Sequence, residues 1–393
     1  MVAVRTITVF FNTSLYPTNR SPERLRAFVS KINIERLKRP FEKAGIEVYN
    51  VRLSISPPRT KEELEGILKI IEEAPFDYFG GFGTFGVNGL TRTLPSVLRS
   101  DERVTAFISV ESLEEAIKAS DVVLELKNDV SAARLLVGVN PPRFSPYLPY
   151  SFIRDPAISY GLSIAINRVS DLRDAIENNS YEEVKRAVFV TLPKVAYPIH
   201  EIAQKLDVPY MGIDVSLAPM PGVKEESVGA LLSDLSSSVD GMLSYIYTLN
   251  EAIKEYPLVA PLVGYNRVMT PLGEDHVLAR LAEEGKLTVD TLKARSAVCS
   301  TGVDVVPILY YKVTGTIVDT IAIGLSQRKT IGARVIPRDK KESVDLGAIG
   351  KAPVLRRAFF FSSSGMNSLY FSRVFLLTSS SIVRRIESTI AYV

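Results

Sequence analysis

The feature that most constrains this chain is the regular alternation of strand-like and helix-like segments along most of its length. Apolar and polar residues alternate over residues 4–11, and apolar residues then recur at helical spacing over residues 22–44. The same alternation predicts further strands at residues 47–55, 104–110, 133–139 and 210–215, and further helices at residues 60–74, 112–127, 181–187, 195–206, 228–253 and 275–284. Strands that alternate with amphipathic helices favour an α/β fold with a mostly parallel sheet, either open or closed into a barrel.

The chain contains no linker rich in Pro, Gly and Ser, which predicts a single α/β domain over residues 1–350. The hydrophobic fraction of 46% and the charged fraction of 23% are those of a globular protein. Residues 351–393 differ, because this Ser- and Phe-rich segment has a net charge of +5 whereas residues 1–350 have −2. Two interpretations of the basic C-terminal segment stay open: a terminal strand pair, or a docking segment for a partner chain.

Cysteine and histidine are scarce, and their scarcity excludes several chemistries. The chain has one Cys and two His, too few for an internal disulfide or for a structural zinc site with four such ligands. The net charge of +3 is too balanced to indicate nucleic-acid binding. The chain shows neither a signal-peptide pattern nor a run of about 20 apolar residues. We therefore expect a cytoplasmic protein that binds no nucleic acid and no membrane.

A glycine-rich stretch at residues 81–86 matches the pattern Gly-x-Gly-x-x-Gly. A dinucleotide site needs this pattern at a turn that leads from a strand directly into a helix. Here helix-like sequence resumes only near Leu94, and two Phe residues inside the stretch would crowd a pyrophosphate. The context favours a flexible glycine loop that can cover a pocket.

Residues 212–219 place a carboxylate and a hydroxyl at the end of a predicted strand. The strand runs into Asp214 and Ser216 and is stopped by Pro219. In α/β sheets and barrels, ligands bind at the carboxyl ends of the strands. The alternative is an Asp that caps the following loop through its own backbone, and the spacing alone supports both interpretations.

A second polar cluster, at residues 264–276, leads into a predicted helix. Glu274 and Asp275 stand at the start of that helix, where the helix dipole stabilises acids, and this is a sufficient structural reason for both. The functional alternative is that one of them acts as a base or binds a divalent cation such as Mg²⁺ or Ca²⁺. Neighbouring residues on a helix point about 100° apart, so at most one or two of Glu274, Asp275 and His276 can face one site.

A third polar cluster, at residues 296–304, precedes an apolar, strand-like run. Its lone cysteine, Cys299, fits a small buried apolar residue better than a nucleophile. The backbone N–H groups of residues 300–302 can form a cradle for an anion, with Asp304 anchoring the loop. The clustering therefore suggests a binding site more than the cysteine does.

These three clusters, in this order and at these intervals, resemble the uncharacterised family called domain of unknown function 711. The resemblance extends over about residues 1–354, and residues 208–308 are its most specific part. The residues of this chain that correspond to the family's shared segments are Asp214, Ser216, Pro219, Gly264, Tyr265, Pro271, Glu274, Asp275, Cys299, Thr301, Gly302, Asp304 and Pro307.

The resemblance implies a fold and also shows one departure. Members of the family look similar to the pyruvate formate-lyase-like α/β barrel, a closed barrel of ten strands with a hairpin inserted inside it. Family members usually continue after the equivalent of Pro307 with a Pro-Gly-Asp loop, whereas this chain continues with Ile308 and Leu309. If the carboxylate of that loop is catalytic in relatives, this chain has lost or moved the activity.

Our main functional hypothesis is an enzyme that acts on a small polar metabolite inside the barrel, with carboxylates as its acid–base groups. The candidate catalytic residues are Asp214, Glu274 and Asp304, the candidate ligand-binding residues are Ser216, Tyr265, Cys299, Ser300, Thr301 and Gly302, and the candidate metal ligand is Asp275. The alternatives are a non-catalytic metabolite-binding or regulatory protein, and a protein that binds a partner chain through its basic C-terminal segment. We also expect a homo-oligomer.

Overall fold

A computed structural model describes residues 3–355 of the chain. These residues form a mixed α/β unit around a large, mostly parallel sheet, which confirms the α/β class and the mostly parallel sheet that the sequence predicts. Most of the basic C-terminal segment, residues 351–393, lies outside the described residues. The two interpretations of this segment, a terminal strand pair and a docking segment, therefore also concern residues outside the described part.

The strands follow the apolar runs of the sequence. Within residues 3–355 they are β1 (Ala3–Phe11), β2 (Glu47–Val48), β3 (Val51–Ile55), β4 (Tyr78–Phe85), β5 (Val104–Val110), β6 (Leu135–Val139), β7 (Phe144–Ser145), β8 (Phe152–Ile153), β9 (Tyr160–Asn167), β10 (Tyr210–Asp214), β11 (Gly302–Leu309), β12 (Ile331–Arg338), β13 (Val344–Asp345) and β14 (Lys351–Ala352). Strands β1, β5, β6 and β11 are buried along nearly their whole length, as expected of strands that are covered on both faces of a sheet.

Helices occupy the segments between most of these strands. They are α1 (Ser21–Val29), α2 (Ile34–Lys43), α3 (Lys61–Ile71), α4 (Leu94–Ser100), α5 (Leu113–Leu124), α6 (Val169–Ala175), α7 (Tyr181–Ala203), α8 (Val228–Leu235), α9 (Met242–Glu255), α10 (His276–Glu283), α11 (Val289–Arg295) and α12 (Val313–Gln327). Side-chain caps start several of them; for example, the Thr60 hydroxyl accepts the Glu63 backbone N–H at 3.2 Å. In the described part of the chain, no helix is both long and apolar enough to cross a membrane.

The central sheet has ten strands in the order β10-β9-β1-β3-β4-β5-β6-β12-β11, with the short β2 paired to β1. Strands β1 to β6 pair with one another only in parallel. Strand β9 is parallel to β10, and β11 is parallel to β12. The direction reverses where β1 meets β9 and where β6 meets β12. The sheet therefore has a central parallel block with a parallel pair of opposite direction on each side.

The two edge strands of this order, β10 and β11, are connected through the segment that lies between them in sequence. Single bridges join Ile213 to Leu262 and Leu217 to Val268. The backbone N–H of Ser300 then donates to the carbonyl oxygen of Val268 at 3.2 Å. The intervening segment thus lies beside β10 and reaches the start of β11.

The glycine-rich stretch forms most of strand β4, so the prediction of a flexible loop is wrong.

Glycines in β4 and β6 make room for the hairpin that β7 and β8 form on one face of the sheet. A Cβ atom on Gly80 would lie 2.8 Å from the Ser151 side chain, and one on Gly138 would lie 2.8 Å from the ring of Tyr150. Tyr150 is fully buried there and donates its hydroxyl to Ser109 at 2.7 Å. These glycines therefore serve close packing.

Candidate functional site

The site is built around a cavity of about 460 Å³. Its wall brings together four predicted residues, Asp214, Ser216, Glu274 and Asp304. They come from the end of β10 and the loop after it, the short turn before α10, and the first residues of β11. The three carboxylates that the sequence nominated as catalytic therefore share one cavity.

A single arginine, Arg334 of β12, joins two of these carboxylates. Its Nε donates to Asp304 Oδ1 at 2.6 Å, and its Nη2 donates to Glu274 Oε1 at 2.7 Å. The other carboxylate oxygens are also occupied, since Tyr147 donates its hydroxyl to Asp304 Oδ2 at 2.7 Å and Arg5 Nη2 donates to Glu274 Oε2 at 3.3 Å. These five side chains form a continuous set of charge-assisted hydrogen bonds, which we call the ion network.

Two members of the ion network are almost closed to solvent, because the side chains of Arg334 and Asp304 are 7% and 1% exposed. Burial raises the pKa of Asp304 against the opposing attraction of Arg334. Burial also tends to lower the pKa of Arg334, but Asp304, Tyr147 and Glu274 outweigh it and hold that pKa well above its usual range. A buried charge is costly unless it is paired, so each member of the network depends on the others.

Irregular strand pairing directs two members of the ion network into the cavity. In β11, Asp304 and Val305 together oppose Arg334 of β12, and Val305 has a φ of +50°, which is rare for a β-branched residue. In β1, Arg5 is the extra residue of a bulge against β9. Because β-bulges re-aim side chains and are enriched beside functional sites, the two bulges explain how strand residues reach the cavity.

Asp214 lines another part of the cavity wall and holds two loops together. Its Oδ1 accepts the backbone N–H of Ser216 at 2.9 Å and the Ser216 hydroxyl at 2.5 Å. Backbone groups of Tyr265 and Asn266 also donate to this carboxylate, yet burial raises the pKa of Asp214. The contact requires a glycine at Gly264, where a Cβ atom would lie 2.1 Å from Asp214 Oδ2. Asp214 therefore caps the loop, as one of the two interpretations expects, and it also lines the cavity.

Two arginines in the cavity wall have donors that no described acid occupies. Arg5 Nη1 is buried and has no hydrogen-bond partner among residues 3–355. Arg52 forms no ion pair within the same residues; its Nε donates to Asn50 Oδ1 at 2.8 Å, and its guanidinium lies 5.7 Å from the ring centre of Tyr78. Burial and the nearby charge of Arg5 lower the pKa of Arg52 to about 10. Neighbouring guanidinium groups with free donors are suited to bind a small oxyanion.

Asp275, the predicted metal ligand, is a buried helix cap instead. Its Oδ1 accepts the Ser227 hydroxyl at 2.8 Å and the Val277 backbone N–H at 3.0 Å, and its Oδ2 accepts the Gly229 backbone N–H at 2.8 Å. These hydrogen bonds fix the start of α10. Over residues 3–355, no group of three or more His, Cys, Asp or Glu is placed to hold a metal ion. Both carboxylate oxygens of Asp275 are therefore engaged in holding the start of α10.

The residues of the predicted anion cradle in the third cluster form contacts within the protein. Ser300 donates both its backbone N–H and its hydroxyl to the carbonyl oxygen of Val268, each at 3.2 Å. Cys299 is buried, and its Sγ lies 3.8 Å from the carbonyl oxygen of Gly302. Neither Ser300 nor Cys299 lines the cavity, so these residues join loops and strands together.

The remaining predicted ligand-binding residues also lie behind the cavity wall. A Cβ atom on Gly302 would lie 2.1 Å from the carbonyl oxygen of Gly332, so this glycine permits close approach of β11 and β12. Thr301 is buried beside it. The ring of Tyr265 packs against that of Tyr147 with centres 5.0 Å apart. Tyr265 thus packs against a member of the ion network. Among the predicted ligand-binding residues, Ser216 is the only one in the described cavity wall.

No local motif surrounds Arg5, Arg52, Arg334 or Tyr147, so the sequence does not predict them as site residues. The signal that could have found the arginines is a single charge inside a run of apolar residues with strand character. Arginine is almost never fully buried without a partner, so such a position predicts an acidic partner or a bound anion.

The fold and the cavity define an α/β protein with a large, mostly parallel sheet and a buried ion network beside a small cavity. The chain belongs to the family described as "Uncharacterised ACR (DUF711)", which its sequence matches over residues 1–346. The resemblance to this family, which the sequence analysis based on the three polar clusters, is therefore confirmed.

Curated relatives of this chain are called UPF0210 proteins. The one from Pyrobaculum aerophilum is 28% identical over 90% of this chain and 89% of its own length. The one from Pyrobaculum arsenaticum is 32% identical over 75% and 74%, and the one from Methanopyrus kandleri is 27% identical over 80% of each chain. The similarity spans most of both proteins in each case, and none of these three names states an activity.

Proposed function

We propose that the protein is an enzyme that binds a small anionic metabolite, a carboxylate or a phosphate ester, in the cavity. Its carboxyl groups would take a proton from the bound metabolite or give one to it. The observation that carries this proposal is the pair Arg5 and Arg52, whose guanidinium groups line the cavity with donors that no described acid occupies. Asp214 and Asp304 line the same cavity and would serve as its acid–base groups.

The anion would bind between Arg5 and Arg52. A guanidinium group has five donors in a planar arrangement that matches carboxylate and phosphate oxygens. Arg5 uses Nη2 on Glu274 and leaves Nη1 buried without a partner. An oxyanion at this point would satisfy that donor and relieve the repulsion between the two cations. The cavity of about 460 Å³ also lies within the usual range for small-molecule sites, roughly 300–1,000 Å³.

The proton-transfer groups in this proposal are Asp214 and Asp304. Burial raises the pKa of both carboxyl groups, which brings them towards the range where a carboxyl group exchanges protons near neutral pH. Glu274 orients Arg5 from one side, and the Tyr147 hydroxyl orients Asp304. The reaction types in which a carboxyl group takes a proton from carbon are isomerisation and elimination.

We also propose that the sheet closes into the ten-stranded barrel that the family resemblance implies. The support is the segment that bridges β10 at Leu262 and Val268 and accepts a hydrogen bond from Ser300 just before β11. If this segment counts as a strand and the short β2 does not, the ring contains five strands of each direction. The cavity would then lie inside the barrel.

A non-catalytic metabolite-binding protein is the second candidate, and one observation favours it. After Pro307 the chain continues as strand β11 to Leu309, in place of the Pro-Gly-Asp loop expected from the family. If that loop supplies a catalytic carboxylate in relatives, this chain would bind the ligand without converting it.

The expected homo-oligomer remains a prediction, which size-exclusion chromatography with light scattering tests.

Hydrogen exchange on candidate ligands separates the two functions. The full-length protein is incubated in D₂O with small 2-hydroxy acids, 2-keto acids and phosphate esters, and the loss of C–H signals is followed by proton NMR. We expect catalysed exchange on at least one compound. Asp304→Asn should slow that exchange by about 100-fold or more, the usual contribution of a general acid or base.

The matched control is Glu183→Gln, because Glu183 is a carboxylate on α7 that pairs with Arg186 outside the cavity. This variant should exchange the ligand at the wild-type rate. Binding without exchange would replace the enzyme by the metabolite-binding protein. If no compound of the panel binds, both candidates fail.

A further inference from the structure

A second concave surface lies at the opposite end of β1 from the cavity. It has a volume of about 620 Å³ and is formed by the last residue of β1, helices α1 and α2, the first residue of β9 and the loop before β10. We call it the aromatic groove. The lining residues that matter here are Tyr16, Arg24, Phe28, Lys31, Arg36 and Tyr160.

Stacked aromatic rings form the floor of the aromatic groove. Phe11 stacks against Tyr16 with ring centres 5.8 Å apart and against Phe28 with centres 4.6 Å apart. Tyr160 lies 5.6 Å from Phe28, and 41% of it is exposed. Partly exposed rings of this kind are the surface on which flat heteroaromatic bases stack.

The rim of the groove carries positive charge that is not neutralised. Arg24, Lys31 and Arg36 are exposed and form no ion pair with any residue of the described chain. The guanidinium of Arg24 lies 5.8 Å from the ring centre of Tyr16. Among the described residues that line the groove, Asp207 is the single acid. The rim is therefore complementary to a polyanion.

We propose that the aromatic groove binds a nucleoside phosphate, with its base on Tyr160 and Phe28 and its phosphates at Arg24, Lys31 and Arg36. Inorganic polyphosphate would use the cations and leave the rings without contact, and an uncharged ring compound would do the reverse. A volume of about 620 Å³ suits one small molecule. A nucleoside phosphate is the ligand class that uses both features.

Calorimetric titrations of the full-length protein at one fixed salt concentration test this site. ATP, adenosine and tripolyphosphate are titrated separately, and we expect ATP to bind about tenfold more tightly than either fragment, because it uses both the rings and the cations. Arg24→Ala and Tyr160→Ala should each weaken ATP binding by about tenfold. Arg26→Ala is the matched control, since Arg26 is exposed on the same helix but does not line the groove, and it should bind ATP like the wild type.

Four results would overturn the proposal. Equal affinities for ATP and tripolyphosphate, or unchanged binding by Tyr160→Ala, would reduce the groove to a patch of charge. A single-stranded oligonucleotide that binds far more tightly than ATP would make it a nucleic-acid surface. Loss of ATP binding in Arg52→Met would place ATP in the cavity, and the groove proposal would then fail while the proposed function survived.

Discussion

The cavity and the aromatic groove lie at opposite ends of β1, and they hold positive charge in opposite ways. In the cavity, Arg334 is 7% exposed and has two carboxylate partners within 2.7 Å. In the groove, Arg24 and Lys31 are exposed and pair with no described acid. The difference follows from solvation, because water stabilises an exposed cation whereas a buried one needs a partner. An unpaired donor therefore carries more information when it is buried, as Arg5 Nη1 is.

The strongest test of this contrast is to remove one arginine from each region. Arg334→Met should lower the free energy of unfolding by about 3–5 kcal/mol, since it leaves Asp304 buried without its counter-charge and leaves Glu274 with Arg5 as its only cation. Arg24→Met should change it by less than about 0.5 kcal/mol. Urea denaturation of both variants gives the comparison.

If the Arg334 variant does not fold, a triple variant keeps the test usable. Replacing Asp304 and Glu274 by Asn and Gln in the Arg334→Met background removes the unpaired charges and should restore part of the lost stability. Equal losses in the Arg334→Met and Arg24→Met variants, or no recovery in the triple variant, would show that the ion network is not what stabilises this region.

A second test concerns the glycine against which Asp214 packs. Gly264→Ala should cost about 3 kcal/mol, because φ is +79° and the added Cβ would lie 2.1 Å from Asp214 Oδ2. Gly285→Ala is the matched control, since Gly285 has a φ of +72° with nothing within 4 Å of its Cβ position, and it should cost only about 1–2 kcal/mol. Equal costs would mean that the Asp214 loop adjusts freely.

The hydrogen bond from Tyr147 to Asp304 allows a finer test of the buried region. Tyr147→Phe should lower the free energy of unfolding by about 2 kcal/mol, because it removes a donor to a buried carboxylate. Tyr311, which is 67% exposed, supplies the control, and Tyr311→Phe should have almost no effect in the same denaturation experiment. A loss shared by both variants would point to a general effect of removing hydroxyl groups.

The pH dependence of stability gives the smallest expected effect. Because burial raises the pKa of Asp214 above 3.8, the folded chain binds more protons than the unfolded chain between 3.8 and the raised value. The free energy of unfolding therefore falls as the pH rises through this interval, by about 1.4 kcal/mol per unit of pKa difference. Asp214→Asn should remove this decrease when urea denaturation is measured from acidic to neutral pH.

The carboxylate of Glu183 on α7 should give a pH dependence of stability with the opposite sign. The hydrogen bond from Arg186 lowers the pKa of Glu183 to about 2, so the contribution of Glu183 to stability is lost as the pH falls through that value. Glu183→Gln should therefore remove a loss of stability at low pH. The same change of slope in Asp214→Asn and Glu183→Gln would contradict the assignment of Asp214 as a carboxyl group with a raised pKa.

Much of the fold could be predicted, because the periodicity that forms strands and helices is local. The errors fall where a local cap or a tertiary contact decides. Residues 22–44 form two helices instead of one, since Asn33 caps the second by accepting the Arg36 backbone N–H at 3.1 Å. Two predicted helices form the single α7, which continues through Pro193 and Pro198. No periodicity argument weighs the packing that keeps such a helix continuous.

The site could be predicted only in part, and two neighbouring acids show why. In the sequence, Glu274 and Asp275 have the same charge and the same position at a helix start. In the structure, Glu274 faces the cavity between Arg5 and Arg334, whereas Asp275 is buried as the cap of α10. The arginines that distinguish them come from β1 and β12, at distant points of the chain. Bulges also turn Arg5 and Asp304 inwards, and sequence patterns do not reveal bulges.

The central claim is that Arg5 and Arg52 bind a compact anion in the cavity. Calorimetric titration of oxalate and of inorganic phosphate into the wild type, Arg52→Met and Arg24→Met at one ionic strength tests it most directly. We predict that Arg52→Met weakens the binding of one anion, the one that the wild type binds more tightly, by about tenfold or more. Arg24→Met should leave the affinity for that anion within about twofold of the wild type. Equal affinities in the wild type and Arg52→Met, or a loss confined to Arg24→Met, would contradict the claim.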